Sequence, residues 1–193
     1  MTDPHARTPG APTPLDPATR DRLAGVARDR GRLWAGTAAL LDGSPAVATC
    51  LRSGDLPVLW RSGMALFAGQ TPGADRALLV LEAHARAARH RPAGHDARAL
   101  ADLHARVGRP AAGDDARAAR AVAALCADEA AAWADDDAAG ARAARGAQVP
   151  LTTGALERGV WDLGRALAQE DGPVWRALGT LVQTFVAGET GRR

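Results

Sequence analysis

The sequence contains no lysine, isoleucine, asparagine or tyrosine, and only two phenylalanines and two methionines. The codons of these residues are rich in A and T, so their scarcity indicates a GC-rich genome. All 24 basic residues are therefore arginine, and arginine abundance alone is not evidence for phosphate binding. Because 22 acidic residues are interspersed with them, the formal net charge is only +2, and no basic stripe typical of nucleic-acid-binding proteins stands out. We expect no nucleic-acid partner.

Long apolar runs and clustered cysteines are also missing. No run approaches the roughly 18 residues that a transmembrane helix needs, so no membrane span is predicted. Cys50 and Cys126 are too far apart in the sequence to indicate a metal pair or a redox dithiol. Both stand among small or apolar residues, which predicts two buried free thiols and is compatible with a reducing cytoplasm.

The N-terminal residues 1–14 are rich in proline, threonine and glycine and have no apolar core of their own. This composition predicts a flexible tail rather than a secretory signal. The following residues, 15–191, are numerous enough to form one domain with a substantial core. We therefore predict a cytoplasmic protein with a short Pro-rich tail and a single domain.

The clearest pattern in this domain lies near its end, from Pro173 to Ala187. Apolar residues recur there at i, i+1, i+4, i+7, i+8, i+11 and i+12, which is the spacing of a wide helical stripe. Pro173 suits a first helical position, and Gly188 suits a left-handed residue that ends the helix. We expect four large side chains of this helix to be buried: Trp175, Leu178, Leu181 and Phe185.

The rest of the domain shows the same helical spacing, interrupted by short turn-forming segments. Helix starts are predicted at Asp16-Pro17 and Ser44-Pro45, where an N-cap side chain precedes a proline. The continuous apolar run Leu78–Leu81 predicts burial over much of the circumference of its helix. Residues 149–154 are predicted to link two helices. Strand-like alternation is absent, so we predict an all-α fold: a single compact helical domain of about eight to nine helices.

Candidate catalytic and metal-binding groups are sparse. The histidines of the middle region are spaced so that they fall on different helix faces, and only a hairpin near Pro92–Gly94 would bring them together: His84, His90, His95 and His104. Surface or capping histidines are the favoured interpretation. The acidic run 135–137 is explained more simply as a solvated helix N-terminus than as a cation site. No nucleophile motif or phosphate-binding loop is present, so we predict no metal, no cofactor and no enzymatic activity.

Three segments follow one another in a recognisable order. Ala65–Gly69 reads ALFAG, Leu100–Glu129 reads as a helix end, a loop and a long helix opened by Asp114 and Asp115, and Val174–Glu189 is the apolar closing helix. This order resembles the TorD-like family of molybdoenzyme chaperones, which includes the assembly factors of nitrate and dimethyl-sulfoxide-type reductases. The ALFAG segment is similar to the family's Leu-Phe-x-Gly element. Of the family's Pro-Asp-His cap, only an aspartate is present here.

The resemblance implies a cytoplasmic, cofactor-free assembly chaperone, a monomer or homodimer. Such a protein binds the apo catalytic subunit of a molybdopterin oxidoreductase, or its twin-arginine signal peptide, until the cofactor is inserted. Recognition is then expected in an apolar cleft whose acidic side meets the arginines of the signal peptide. The resemblance places five residues at this partner-binding site: Leu66 and Phe67 in the cleft, and Asp114, Asp115 and Glu129 on its acidic side.

A second interpretation belongs to a different class of protein. A helical bundle of this size also suits a small-ligand-binding or regulatory module, such as the effector domain of a transcription factor. A regulator is expected to carry a compact N-terminal helix-turn-helix with clustered arginines. The proline-rich start and the alternation of aspartate and arginine in the first helix do not favour that arrangement. A helical enzyme with a metal site is the third interpretation.

Overall fold

The computed structural model describes residues 15–64, 73–92, 94–107 and 113–191. These residues form nine α-helices and no strand, which confirms the predicted all-α fold and its single compact helical domain. The helices are α1 (Pro17–Leu41), α2 (Pro45–Ser53), α3 (Asp55–Met64), α4 (Ala74–Ala88), α5 (His95–Val107), α6 (Gly113–Ala134), α7 (Ala138–Thr152), α8 (Ala155–Ala168) and α9 (Pro173–Thr190). The predicted tail, residues 1–14, lies outside the described residues, as do Leu66 and Phe67.

The predicted helix starts are confirmed where short polar side chains precede proline. The Asp16 carboxylate accepts a hydrogen bond from the backbone N–H of Thr19 at 3.0 Å, and Pro17 follows it in the first turn of α1. Ser44 accepts from the backbone N–H of Ala46 at 3.3 Å in the same way at the start of α2. These caps satisfy backbone donors that have no partner within the helix.

The core forms where α9 packs against α4 and α8, and where α1 packs along α6. Phe185 of α9 contacts two tryptophans edge-on, with ring centroids 4.9 Å from Trp34 of α1 and 5.8 Å from Trp60 of α3. The expected burial of the four large side chains of α9 is confirmed: Trp175, Leu178, Leu181 and Phe185. Among the described helices, none has the length and apolar content needed to cross a membrane.

Glycine allows α8 and α9 to approach each other closely. A Cβ atom on Gly179 of α9 would lie 2.5 Å from the backbone oxygen of Gly164 and 2.5 Å from the backbone nitrogen of Ala168. Both neighbours are main-chain atoms of α8, which cannot rotate away as a flexible side chain can. The backbones of the two helices are therefore in direct contact at this point.

The predicted end of the closing helix at Gly188 is wrong. α9 continues through Gly188 to Thr190, and the left-handed residue that follows it is Gly191, with φ of 69°. The extra turn brings the side chain of Glu189 into the protein, where it is only 2 % exposed. Gly188 on its own would weaken this last turn of the helix. The contacts of the Glu189 carboxylate, described below, stabilise it.

Two further predictions are corrected. Residues 149–152 belong to the last turn of α7 rather than to a connection, and Pro150 lies inside that turn. The buried side chains of Gln148 and Thr152 hold this turn against the protein interior. In α4 the apolar run is buried on one side only, since Leu78 and Leu81 face the core while Leu79 is 59 % exposed. The prediction of two buried free thiols is confirmed for Cys126 and is wrong in part for Cys50, whose thiol is free but only half-buried.

Candidate functional site

An open groove runs along α4 beside α5 and the first turns of α9. We call it the α4–α9 groove, and it consists of two cavities of about 420 Å³ and about 430 Å³ that share Val80 and Pro173. The first cavity is lined by Val80, Ala83, His84, Ala87, Arg91, His95, Asp96, Ala99, Pro173, Val174 and Trp175. The second is lined by Gly73, Arg76, Ala77, Val80, Pro173, Arg176, Ala177 and Thr180.

The sequence of α4 explains why space remains beside it. Leu78 and Leu81 turn into the core, so the groove side of the helix carries Val80, Ala83 and Ala87 at i, i+3 and i+7. The two alanines are exposed and too small to cover the neighbouring helices. The result is an apolar surface that the described residues leave open.

Polar groups meet at the α5 end of the groove. The Nε2 atom of His84 lies 3.3 Å from Oδ1 of Asp96, which is itself only 6 % exposed. Arg91 donates to the backbone oxygen of His84 at 3.2 Å, and its Nη1 lies 3.9 Å from Oδ1 of Asp96. The second carboxylate oxygen, Oδ2 of Asp96, is buried and accepts no hydrogen bond from any described residue. A buried oxygen of this kind is costly unless a donor reaches it.

Burial lowers the pKa of His84, and the nearby guanidinium of Arg91 lowers it further. The carboxylate of Asp96 raises this pKa, but the net shift is downward. His84 is therefore neutral near pH 7. Nη2 of Arg91 lies 3.1 Å from Nδ1 and 3.2 Å from Nε2 of His84, so this guanidinium lies against both ring nitrogens. The ring of His84 thus contacts both the carboxylate of Asp96 and the guanidinium of Arg91 at this end of the groove.

The lowered pKa of His84 predicts an acid-sensitive contribution to stability. Below about pH 6.5 the unfolded chain binds a proton at this histidine before the folded protein does, so the free energy of unfolding falls as the pH drops toward the folded-state pKa. In His84→Gln this contribution is absent, and we expect a smaller loss of stability between about pH 7.5 and about pH 5.5. Urea unfolding at the two pH values measures the difference, with exposed His90→Gln as the control. Equal losses in the wild type and in His84→Gln would contradict the assignment.

The opposite end of the groove is basic. Arg76 of α4 and Arg176 of α9 are exposed and both line the second cavity. Within the part of the chain that the structure describes, neither guanidinium has an ion-pair partner. The groove therefore combines three arginines with a single carboxylate, that of Asp96.

A separate buried network ties α9 to α1, α6 and α7. Arg30 donates from Nε and Nη2 to the two carboxylate oxygens of Glu189, at 2.7 and 2.6 Å. It also donates to Glu129 at 3.1 Å and to the side-chain oxygen of Gln148 at 2.7 Å. The amide of Gln148 donates to Glu129 at 2.8 Å, and the indole N–H of Trp34 donates to Glu189 at 3.2 Å. The network lies between the four helices, and Arg145 of α7, whose side chain is 45 % exposed, also donates to the side-chain oxygen of Gln148, at 3.1 Å.

The thiol of Cys126 lies beside this network. Burial raises the pKa of the Cys126 thiol beside it to about 12, although the positive charge of Arg30 opposes that shift. The thiol is therefore protonated at neutral pH and is not a nucleophile. Its Sγ lies 3.5 Å from the side-chain oxygen of Gln148, as a weak donor. No group of three or more potential metal ligands occurs among the described residues.

The structure places the predicted partner-binding residues apart. Glu129 is buried and bonded to Arg30 and Gln148, whereas the side chain of Asp114 is 94 % exposed and paired with Arg117 at 2.8 Å. The two acids lie fifteen residues apart on α6, which separates them by about 22 Å. The carboxylate of Asp115 lies against Gly159 of α8. Leu66 and Phe67 lie outside the described residues, and the partner-binding role of all five stays a prediction.

The groove was not predicted from the sequence. His84 lies on α4 and Asp96 in the first turn of α5, and the break between these two helices was the one signal that could bring them together. No family model matches this chain, and the searches of curated proteins and of solved structures give no significant match. The groove is therefore interpreted from its own geometry.

Proposed function

We propose that this chain is a cytoplasmic, non-catalytic chaperone that binds the apo catalytic subunit of a molybdopterin oxidoreductase, or its twin-arginine signal peptide, and holds a segment of it in the α4–α9 groove. The resemblance of ALFAG and of the closing helix to the TorD-like family supports the class of client. The observation that carries the binding role is the open apolar groove along α4, beside α5 and α9.

The dimensions of the groove favour a polypeptide segment. Arg76 and Ala87 both line it and stand eleven residues apart on α4, which corresponds to about 16 Å along the helix. An extended chain covers that distance with about five residues. A groove with an apolar floor and charged side chains at one end suits a polypeptide segment whose apolar side chains fill the floor.

Co-purification from the native host tests the proposal. In Ala83→Trp a large side chain fills the groove from an exposed position, so the fold is expected to persist while the client is excluded. The matched control is Ala143→Trp, at an equally exposed alanine of α7 away from the groove. We expect the wild type and the control to recover the same oxidoreductase subunit, and Ala83→Trp to recover roughly tenfold less, as for loss of a central interface contact. Repeated recovery of no oxidoreductase subunit by the wild type would contradict the proposal.

A small-ligand-binding or regulatory helical bundle is the second candidate. It is favoured by the His84–Asp96 pair, because a few convergent polar groups in an apolar cavity of about 420 Å³ are also characteristic of small-molecule sites. Mass spectrometry of the protein purified from its host, before and after denaturation, separates the two. A stoichiometric small molecule released on denaturation, and missing from Ala83→Trp, would favour this candidate.

A further inference from the structure

We infer that the α4–α9 groove binds an extended, largely apolar polypeptide segment that carries an acidic side chain. The carboxylate of that side chain is held by Arg76 and Arg176. The inference rests on the proposed function and deepens it, because it states the chemistry of the client segment.

The charge of the groove selects the acidic side chain. Arg76 and Arg176 stand on two facing helices around one cavity and have no ion-pair partner among the described residues. A carboxylate placed between them accepts charge-assisted hydrogen bonds from both guanidinium groups.

The same charges disfavour a segment with paired arginines. Arg91 lies 3.9 Å from Asp96 and takes up part of its negative charge, and Arg76 and Arg176 repel further cations. Of the two clients that the family resemblance implies, the groove therefore suits a segment of the catalytic subunit better than a twin-arginine signal peptide.

Site-specific photo-crosslinking in the native host tests the inference. The probe is p-benzoylphenylalanine at position 83 of the full chain, and the control carries it at position 143. We expect crosslinks from position 83 alone, to a segment with Asp or Glu within about six residues of the crosslinked position. The double variant Arg76→Glu/Arg176→Glu is expected to lower the crosslink yield by roughly fivefold or more. The matched double variant Arg142→Glu/Arg158→Glu, at exposed arginines outside the groove, is expected to leave it unchanged.

The outcomes separate the inference from the proposed function. An acidic segment of an oxidoreductase subunit supports both, and an acidic segment of an unrelated protein supports the inference while contradicting the proposed function. A segment with paired arginines and no acid, taken from an oxidoreductase precursor, overturns the inference and leaves the proposed function standing. The absence of any crosslink specific to position 83, or yields that do not respond to the arginine substitutions, overturns the inference as well.

Discussion

Replacing Glu189 by alanine is expected to lower the free energy of unfolding by about 3–5 kcal/mol, because it removes one partner of a buried ion pair. The side chains of Arg30 and Glu189 are only 5 % and 2 % exposed, and the carboxylate accepts from both Nε and Nη2 of the guanidinium. The substitution leaves Arg30 with Glu129 and Gln148 and leaves the indole N–H of Trp34 without an acceptor. Urea denaturation at neutral pH measures the change.

The control for this substitution is an ion pair of similar length at the surface. Arg106 and Glu170 are joined at 2.8 Å, but the arginine is 56 % exposed and the glutamate 21 % exposed. Solvent screens such a pair, so Glu170→Ala is expected to cost less than about 1 kcal/mol. Equal destabilisation by the two substitutions would show that the buried network contributes no more than a surface pair.

Replacing Gly179 by alanine is expected to destabilise the protein by about 1–3 kcal/mol, although alanine is the better helix former. The added methyl group would lie 2.5 Å from backbone atoms of Gly164 and Ala168, so α8 and α9 must move apart. That movement disturbs the packing of the buried side chains on both sides of the contact. The intrinsic preference for alanine, about 1 kcal/mol, offsets only part of this cost.

Gly36 provides a control that isolates the steric effect. It lies inside α1, and a Cβ atom there would meet nothing within 4 Å. Gly36→Ala is therefore expected to raise the free energy of unfolding by up to about 1 kcal/mol, the opposite sign from Gly179→Ala. Thermal and urea unfolding of both variants test the pair, and a stabilising Gly179→Ala would contradict the close contact between α8 and α9.

Features determined by neighbouring residues were predictable from the sequence. The helix starts at Asp16-Pro17 and Ser44-Pro45 depend on a side chain and a proline within three positions, and both predictions are confirmed. The buried stripe of α9 follows from apolar spacing alone, and Phe185 and its neighbours are buried as expected. The all-α fold rests on the same local signals.

Features determined by distant residues were not predictable. The local sequence ends α9 at Gly188, but the helix continues because Arg30, 159 residues earlier, binds Glu189. The run Leu78–Leu81 does not reveal that Leu79 is exposed, since the neighbours of α4 determine which side of the helix is covered. For the same reason the groove at His84 and Asp96 depends on how α4, α5 and α9 come together, which a single sequence does not specify.

The contact between Arg30 and Glu189 also constrains the order in which the domain is completed during synthesis. The ribosome releases α1 first, yet the carboxylate that accepts two hydrogen bonds from its buried guanidinium follows 159 residues later. Until residue 189 has emerged, Arg30 has only Glu129 and Gln148 as buried partners, and the core positions that α9 fills are open, so nascent chains in this state are prone to aggregation. The domain is therefore expected to finish folding after translation of its last helix, rather than helix by helix from the N-terminus.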